Sequence, residues 1–89
     1  MFKHQTKDGR RNLCGEQVRA LRLAMRPKVS QRKLAEMMQL KGVDIEKTAI
    51  RRMESGERYV TDIELQLLAE IFGVSVEELL HDDKAERRE

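Results

Sequence analysis

Apolar residues recur along this chain in five stretches, each with the spacing of a helix. The second stretch is the simplest case, because Leu34, Ala35 and Met38 lie three and four residues apart and share one helical face. The fourth stretch is apolar over a wide arc, and we expect it to be the most buried helix. The pattern predicts an all-α domain of five helices, at about residues 13–25, 31–40, 45–54, 62–72 and 76–80.

Residues with capping chemistry stand at the ends of these stretches. Thr61 with Glu64, and Ser75 with Glu78, match the capping box, in which each side chain accepts a hydrogen bond from the backbone N–H of the other residue. The N-cap candidates of the first three helices are Asn12, Ser30 and Asp44. Glycines suited to helix termination follow the second, third and fourth helices: Gly42, Gly56 and Gly73.

The composition fits one small folded domain. Of the 89 residues, 39% are apolar and 38% are charged, which is sufficient for a helical domain with a thin core. Aromatic residues make up only 3%, which disfavours a stacking platform for single-stranded nucleic acid. The single cysteine, Cys14, excludes an intramolecular disulfide, and no stretch approaches roughly 18 apolar residues. We expect a cytoplasmic protein without a membrane span, in which Cys14 is a packing residue.

Charge is distributed unevenly along the chain. Residues 1–60 hold fifteen Lys and Arg against seven Asp and Glu, whereas residues 61–89 hold three against nine. This division suits a phosphate-facing surface with the C-terminal part turned away, although chance segregation is the alternative. We divide the chain into a flexible basic arm (residues 1–12), a folded domain (13–80) and a charged tail (81–89). The arm either follows phosphates, enters a minor groove, or is a solvated terminus without a role.

No residue pattern indicates catalysis. His4, His81 and Cys14 lack the spacing of metal ligands, and no serine, cysteine or lysine stands beside an evident base. The glycines are isolated and form no phosphate-cradling loop. We therefore expect no enzyme activity, no catalytic residues, no metal, no cofactor and no small-molecule ligand.

The segment 30–56 carries the strongest functional signal. Its two predicted helices are joined by turn-forming residues, and the outward face of the second one is cationic and able to donate hydrogen bonds. Lys47, Thr48, Arg51 and Arg52 make up this face. A helix fits the major groove of DNA, where arginine pairs with the guanine edge. The alternative is that Arg51 or Arg52 pairs with Glu54, Glu57 or the acidic C-terminal part.

A second group of residues suits contact with phosphates. The first turn of the helix that begins after Ser30 contains cations instead of acids, and its free N–H groups favour a bound anion. The connector after Gly56 adds two side chains that can reach a phosphate. The candidates are Ser30, Gln31, Arg32, Arg58 and Tyr59.

Four segments together resemble the Cro and phage-repressor type of helix-turn-helix domain, the XRE-like regulators. They are VRALR (18–22), SQRKLAEMM (30–38), AIRRMESGER (49–58) and DIELQLLAEIFGVSVEELL (62–80). The resemblance covers residues 13–80 and implies a five-helix, lambda-repressor-like fold with the third helix in the major groove. It places base contacts at Lys47, Thr48 and Arg51 or Arg52, and a phosphate contact at Gln31. Residues 38–45 are longer than the tight turn of that family, so the start of the third helix is defined only loosely.

These observations predict a small repressor-like regulator that binds specific double-stranded DNA. One reading helix makes few base contacts, so we expect a homodimer on a palindromic operator. Its interface would use the fourth and fifth helices, around Leu65, Val76 and Leu80. The alternative is a protein-interaction module, such as an antitoxin or anti-repressor, whose exposed helix contacts protein. Steep weakening of binding with salt would favour DNA.

Overall fold

The computed structural model describes residues 5–6 and 8–81. Within them it contains helices and no strand: α1 (Gly15–Ala24), α2 (Gln31–Leu40), α3 (Lys47–Ser55), α4 (Asp62–Phe72) and α5 (Val76–Leu80). The predicted all-α, five-helix fold is confirmed. No helix in this part of the chain has the length and apolar character needed to cross a membrane.

Local sequence explains most helix ends. The Ser30 hydroxyl accepts the backbone N–H of Lys33 at 2.9 Å, as expected of an N-cap. Both capping boxes are formed, at Thr61 with Glu64 and at Ser75 with Glu78. Gly56 ends α3 in the left-handed conformation, at φ 85°, which is accessible to glycine because it lacks a Cβ.

Two helices begin later than the sequence pattern predicts. α1 begins at Gly15 instead of Leu13, so the prediction that Asn12 is its N-cap is wrong, and Cys14 occupies that position without a side-chain cap. The Asn12 Oδ1 nevertheless accepts the Gly15 N–H at 2.8 Å. α3 begins at Lys47, so the prediction that Asp44 is its N-cap is wrong, and Glu46 occupies that position without a side-chain cap.

Burial of Ile45 explains the late start of α3. Its side chain is only 3% exposed, and its carbonyl accepts the Gln39 side-chain N–H at 2.6 Å. Burying an isoleucine side chain is worth about 1.5–3 kcal/mol, whereas an N-cap contributes about 1 kcal/mol. The connection therefore runs to the core before the helix can begin.

The core lies where the helices converge. α3 packs against α1 and α2, while α4 packs against α1, α2 and α5. The most deeply buried apolar side chains come from every helix: Val18, Leu34, Met38, Ile50, Met53, Leu68 and Leu79. Cys14 is also buried, and burial raises the pKa of its thiol to about 11, which suits a packing residue.

α4 is less enclosed than its apolar sequence predicts. Leu67, Leu68 and Ala69 are buried, but Ile63 is 68% exposed, and Leu65 is only partly covered. One side of its wide apolar arc faces the core, and the other side is open. With four buried residues α4 still has more of them than any other helix, as the sequence predicts, although part of its apolar arc is uncovered.

Candidate nucleic-acid interface

The exposed face of α3 carries all four of the predicted base-contacting residues. Lys47, Thr48, Arg51 and Arg52 are exposed. Ile50 and Met53, on the opposite face of the helix, have no exposed surface. The helix therefore presents a row of donors outward while its apolar stripe is fixed in the core.

Part of this face borders an open groove of about 520 Å³. Thr48 and Arg52, one helical turn apart, line it together with Tyr59. Lys47 and Arg51 lie outside it, as do the candidates at the start of α2. The other lining residues are Arg11, Asp44, Ile45, Glu46, Ala49, Glu57 and Arg58.

Arg51 and Arg52 differ in their surroundings. The Arg51 guanidinium lies 3.8 Å from the Glu57 carboxylate, with both side chains more than half exposed. Exposed pairs of this kind contribute little, so Arg51 can exchange this partner for another anion. Across residues 5–6 and 8–81, no carboxylate lies within ion-pair distance of Arg52. The proposed alternative of an acidic partner therefore applies to Arg51.

A buried ion pair fixes the far end of α3 to α1. The Arg22 guanidinium makes a two-pronged contact with the Glu54 carboxylate, at 2.7 and 2.9 Å, and also donates to the Val29 carbonyl at 3.0 Å. Both residues are below 10% exposed. The Gln31 side chain donates to the same carboxylate at 3.1 Å, which adds α2 to the network.

This network places Gln31 facing inward. Its amide bridges the start of α2 to α3, and the phosphate contact that we predicted for Gln31 stays a prediction. The sequence held a signal for the network that we missed. Arg22 follows Val18 by four residues, and Glu54 follows Ile50 by four, so opposite charges stand on two buried helical faces.

The segment before α1 holds the C-terminal end of α3. Asn12 donates from its side chain to the Met53 carbonyl at 3.0 Å, and Arg10 donates to the Glu54 carbonyl at 3.1 Å. The Arg11 backbone N–H donates to the Gly56 carbonyl at 2.8 Å. A cation is favourable at a helix C-terminus, where carbonyls lack partners.

Residues 10–12 therefore do not form the flexible arm that the sequence predicted. They dock on α3 through hydrogen bonds to main-chain carbonyls. A pattern of side chains in the sequence does not predict such docking. The basic residues Lys3 and Lys7 of that arm, and the tail beyond His81, lie outside the described residues.

Arg58 and Tyr59 have different environments in the connector. The Arg58 guanidinium binds both oxygens of Glu64 at 2.8 Å. These hydrogen bonds hold the pKa of the Glu64 carboxyl below its ordinary value and raise that of Arg58. Tyr59 is 49% exposed, and the Arg11 guanidinium lies 5.6 Å from its ring centre. Arg58 is thus engaged within the protein, whereas Tyr59 and Arg11 lie at the surface.

The helix starts differ in charge. The first turns of α1, α4 and α5 contain acidic residues, whereas those of α2 and α3 contain none. Ser30 and Arg32 are exposed at the start of α2. The positive end of the α2 dipole therefore has no acidic residue in its first turn, which favours an anionic ligand there, whereas Glu46 stands at the N-cap of α3.

A helix-turn-helix family model matches residues 18–79, which is more than two thirds of the chain. The chain belongs to the Cro/C1-type helix-turn-helix family. α2 and α3 are then the two helices of the motif, joined by the extended connection through Ile45. The chain matches none of the curated proteins and none of the solved structures with which it was compared.

Family membership is consistent with the chemistry of the surface. The helix-turn-helix family is one of DNA-binding regulators. Within residues 5–6 and 8–81 no group of three or more His, Cys, Asp or Glu could hold a metal ion. The described surface carries cations, hydroxyls and helix N-termini, which are groups that contact DNA phosphates.

Proposed function

We propose that this protein is a repressor-like regulator that binds a specific double-stranded DNA site with α3 in the major groove. The observation that carries this proposal is the exposed row on α3, whose opposite face is buried. Arg52 supplies a guanidinium with a donor geometry that fits the guanine edge. Lys47 can reach the same acceptors, and Thr48 offers a hydroxyl or a methyl group to a base.

Contacts with the DNA backbone would position this helix. Ser30 and Arg32 stand at the start of α2, where N–H groups favour phosphate. Tyr59 lines the same groove as Thr48 and Arg52 and can serve a phosphate contact through its ring or its hydroxyl. We assign Gln31 and Arg58 a supporting role beside these phosphate contacts, since their side chains are already bound to Glu54 and Glu64.

A homodimer is the form that fits a single reading helix of this size. Ile63, Leu65 and Val76 line one shallow depression on α4 and α5, and Leu80 is 40% exposed nearby in sequence. An uncovered apolar surface of this kind favours association with a second copy. Two reading helices related by a two-fold axis would bind half-sites about 34 Å apart, on a palindromic operator.

Selection of binding sites from random duplex DNA tests the proposal. We expect an enriched palindrome with half-sites one helical turn apart, and binding that weakens steeply as salt rises. A flat salt dependence, or no enrichment at low salt, would contradict the proposal and favour the protein-partner alternative. A monomeric mass by sedimentation, with and without the selected site, would contradict the dimer. Such a regulator would act in the cytoplasm, together with the DNA that it binds.

A further inference from the structure

The segment before α1 directs one arginine outward while it fixes its neighbours. Arg10 and Asn12 turn their side chains to the carbonyls at the end of α3. Arg11 lies between them, and its anchor is its backbone N–H, bonded to the Gly56 carbonyl. Its side chain is therefore not used to hold the segment in place.

The ring of Tyr59 supports the Arg11 guanidinium. The guanidinium carbon lies 5.6 Å from the ring centre, which is within the range of a cation–π contact. The arginine remains exposed, and Tyr59 is 49% exposed. A planar cation held against a ring loses less conformational freedom when it binds an anion than a free side chain does.

The charges around this pair leave Arg11 available. Among the described residues no carboxylate lies within ion-pair distance of it. Arg58, in the same groove, is already paired with Glu64, and the Glu57 carboxylate accepts the Ser55 hydroxyl at 2.7 Å. Within the described part of the chain, Arg11 and Arg52 are thus the two groove arginines that form no ion pair.

We infer that Arg11 is a DNA phosphate contact and that Tyr59 positions it through its ring. The inference rests on the proposed function, because Arg11 and Tyr59 line the same groove as Thr48 and Arg52. Asp44 and Glu46 line the groove as well, beside the start of α3, and their carboxylates repel phosphate. The DNA backbone would therefore pass on the Arg11 and Tyr59 side of the groove, while α3 contacts the bases.

Salt-dependent binding to a mixed-sequence DNA duplex tests this inference, because phosphate contacts do not depend on sequence. The probe is a labelled duplex of roughly 30 base pairs, about three helical turns, titrated by fluorescence anisotropy at several salt concentrations. Arg11→Gln should reduce the log–log salt slope by about 0.9, the value of one phosphate contact. Arg19→Gln is the matched control, since Arg19 is exposed on α1, outside the groove, and should leave the slope unchanged.

Two Tyr59 variants separate the ring from the hydroxyl. Tyr59→Leu removes the ring and should weaken binding as much as Arg11→Gln, and the double variant should be no weaker than either single one. Tyr59→Phe keeps the ring and should bind as the unmodified protein does. Thermal unfolding of each variant confirms that it is folded. If Tyr59→Leu is unfolded, the salt slope of Arg11→Gln alone tests the inference.

The possible failures are distinguishable. If the unmodified protein does not bind the duplex at low salt, both the proposed function and this inference fail. If it binds and Arg11→Gln leaves the slope unchanged, or Arg19→Gln lowers it equally, only the inference fails. If Tyr59→Phe loses as much affinity as Tyr59→Leu, the hydroxyl is the contact, and the positioning role of the ring is overturned.

Discussion

The two ends of α3 are held in opposite ways. At the C-terminal end, main-chain carbonyls accept hydrogen bonds from Asn12 and Arg10, and Arg22 and Gln31 bind the Glu54 carboxylate. At the N-terminal end, Glu46 makes no side-chain cap, and Lys47 and Thr48 are exposed.

This contrast shows how a short helix can be rigid and still have a free surface. A nine-residue helix is marginal in isolation, so its conformation depends on packing and on attachment at its ends. Here the attachment is concentrated at the end away from the predicted first base contacts. The open end then needs no intramolecular partners, and its side chains remain free for a ligand.

Removing the Glu54 carboxylate should have the largest effect on stability. Glu54→Ala leaves the buried Arg22 charge and the Gln31 amide without their partner, and breaking one side of a buried pair costs about 3–5 kcal/mol. Glu57→Ala is the control, because that carboxylate is 57% exposed, and the change should be within about 0.5 kcal/mol. Urea unfolding measures both. Equal losses in the two variants would show that Glu54 does not anchor α3.

Substituting Gly56 should have the next largest effect. A Cβ there would lie 2.9 Å from the Arg10 guanidinium carbon, and the residue has φ of +85°. Gly56→Ala should therefore cost about 2–3 kcal/mol from backbone strain and a displaced Arg10. Gly42→Ala has a similar φ, +96°, but nothing within 4 Å of its Cβ, so it should cost about 1–2 kcal/mol. If thermal unfolding shows the same loss for both, Arg10 is not packed against Gly56 in solution.

Acid should weaken the connection between α3 and α4. Hydrogen bonds from Arg58 hold the pKa of Glu64 below its ordinary value of 4.5, so folding favours the ionised carboxylate. This contribution is complete above that value and is lost as the pH falls through the lower pKa of the folded state. Unfolding free energy measured against pH should therefore fall less steeply in acid for Glu64→Gln than for the unmodified protein. If the unfolding free energies of the two proteins fall equally steeply in acid, the role of the Arg58–Glu64 pair is contradicted.

Substitutions at the open end should have the smallest effect on stability. Lys47 is exposed, and no ion pair or side-chain hydrogen bond holds it within the described residues. Lys47→Ala should therefore change the unfolding free energy by no more than about 0.5 kcal/mol. A larger loss in urea unfolding would show that this end of α3 is also held by its own protein.

The helices could be predicted because their signals are local. The Ser30 cap joins residues three positions apart, and so does each capping box, at Thr61 and at Ser75. The late start of α3 could not be predicted from neighbouring residues alone. Asp44 is the better cap by type, but burial of Ile45 is worth more than a cap.

The candidate site was only partly predictable. The exposed row on α3 follows from helical spacing, since Ile50 and Met53 fix which face is buried. The Arg22–Glu54 pair spans 32 positions and depends on how α1 packs on α3. Docking of residues 10–12 depends on carbonyl acceptors, which every residue possesses. Helical spacing indicates that Arg22 and Glu54 stand on buried faces, but it does not give their pairing, and the docking of residues 10–12 leaves no local pattern.

The affinity of Arg52→Ala for the selected DNA site tests the central claim most directly. It should be compared with the unmodified protein on that site and on the same duplex with scrambled half-sites. If α3 contacts bases through its exposed row, the variant should lose about 1–3 kcal/mol on the selected site and much less on the scrambled one. An equal loss on both duplexes would make Arg52 a phosphate contact, and no loss on either would contradict its place in the interface.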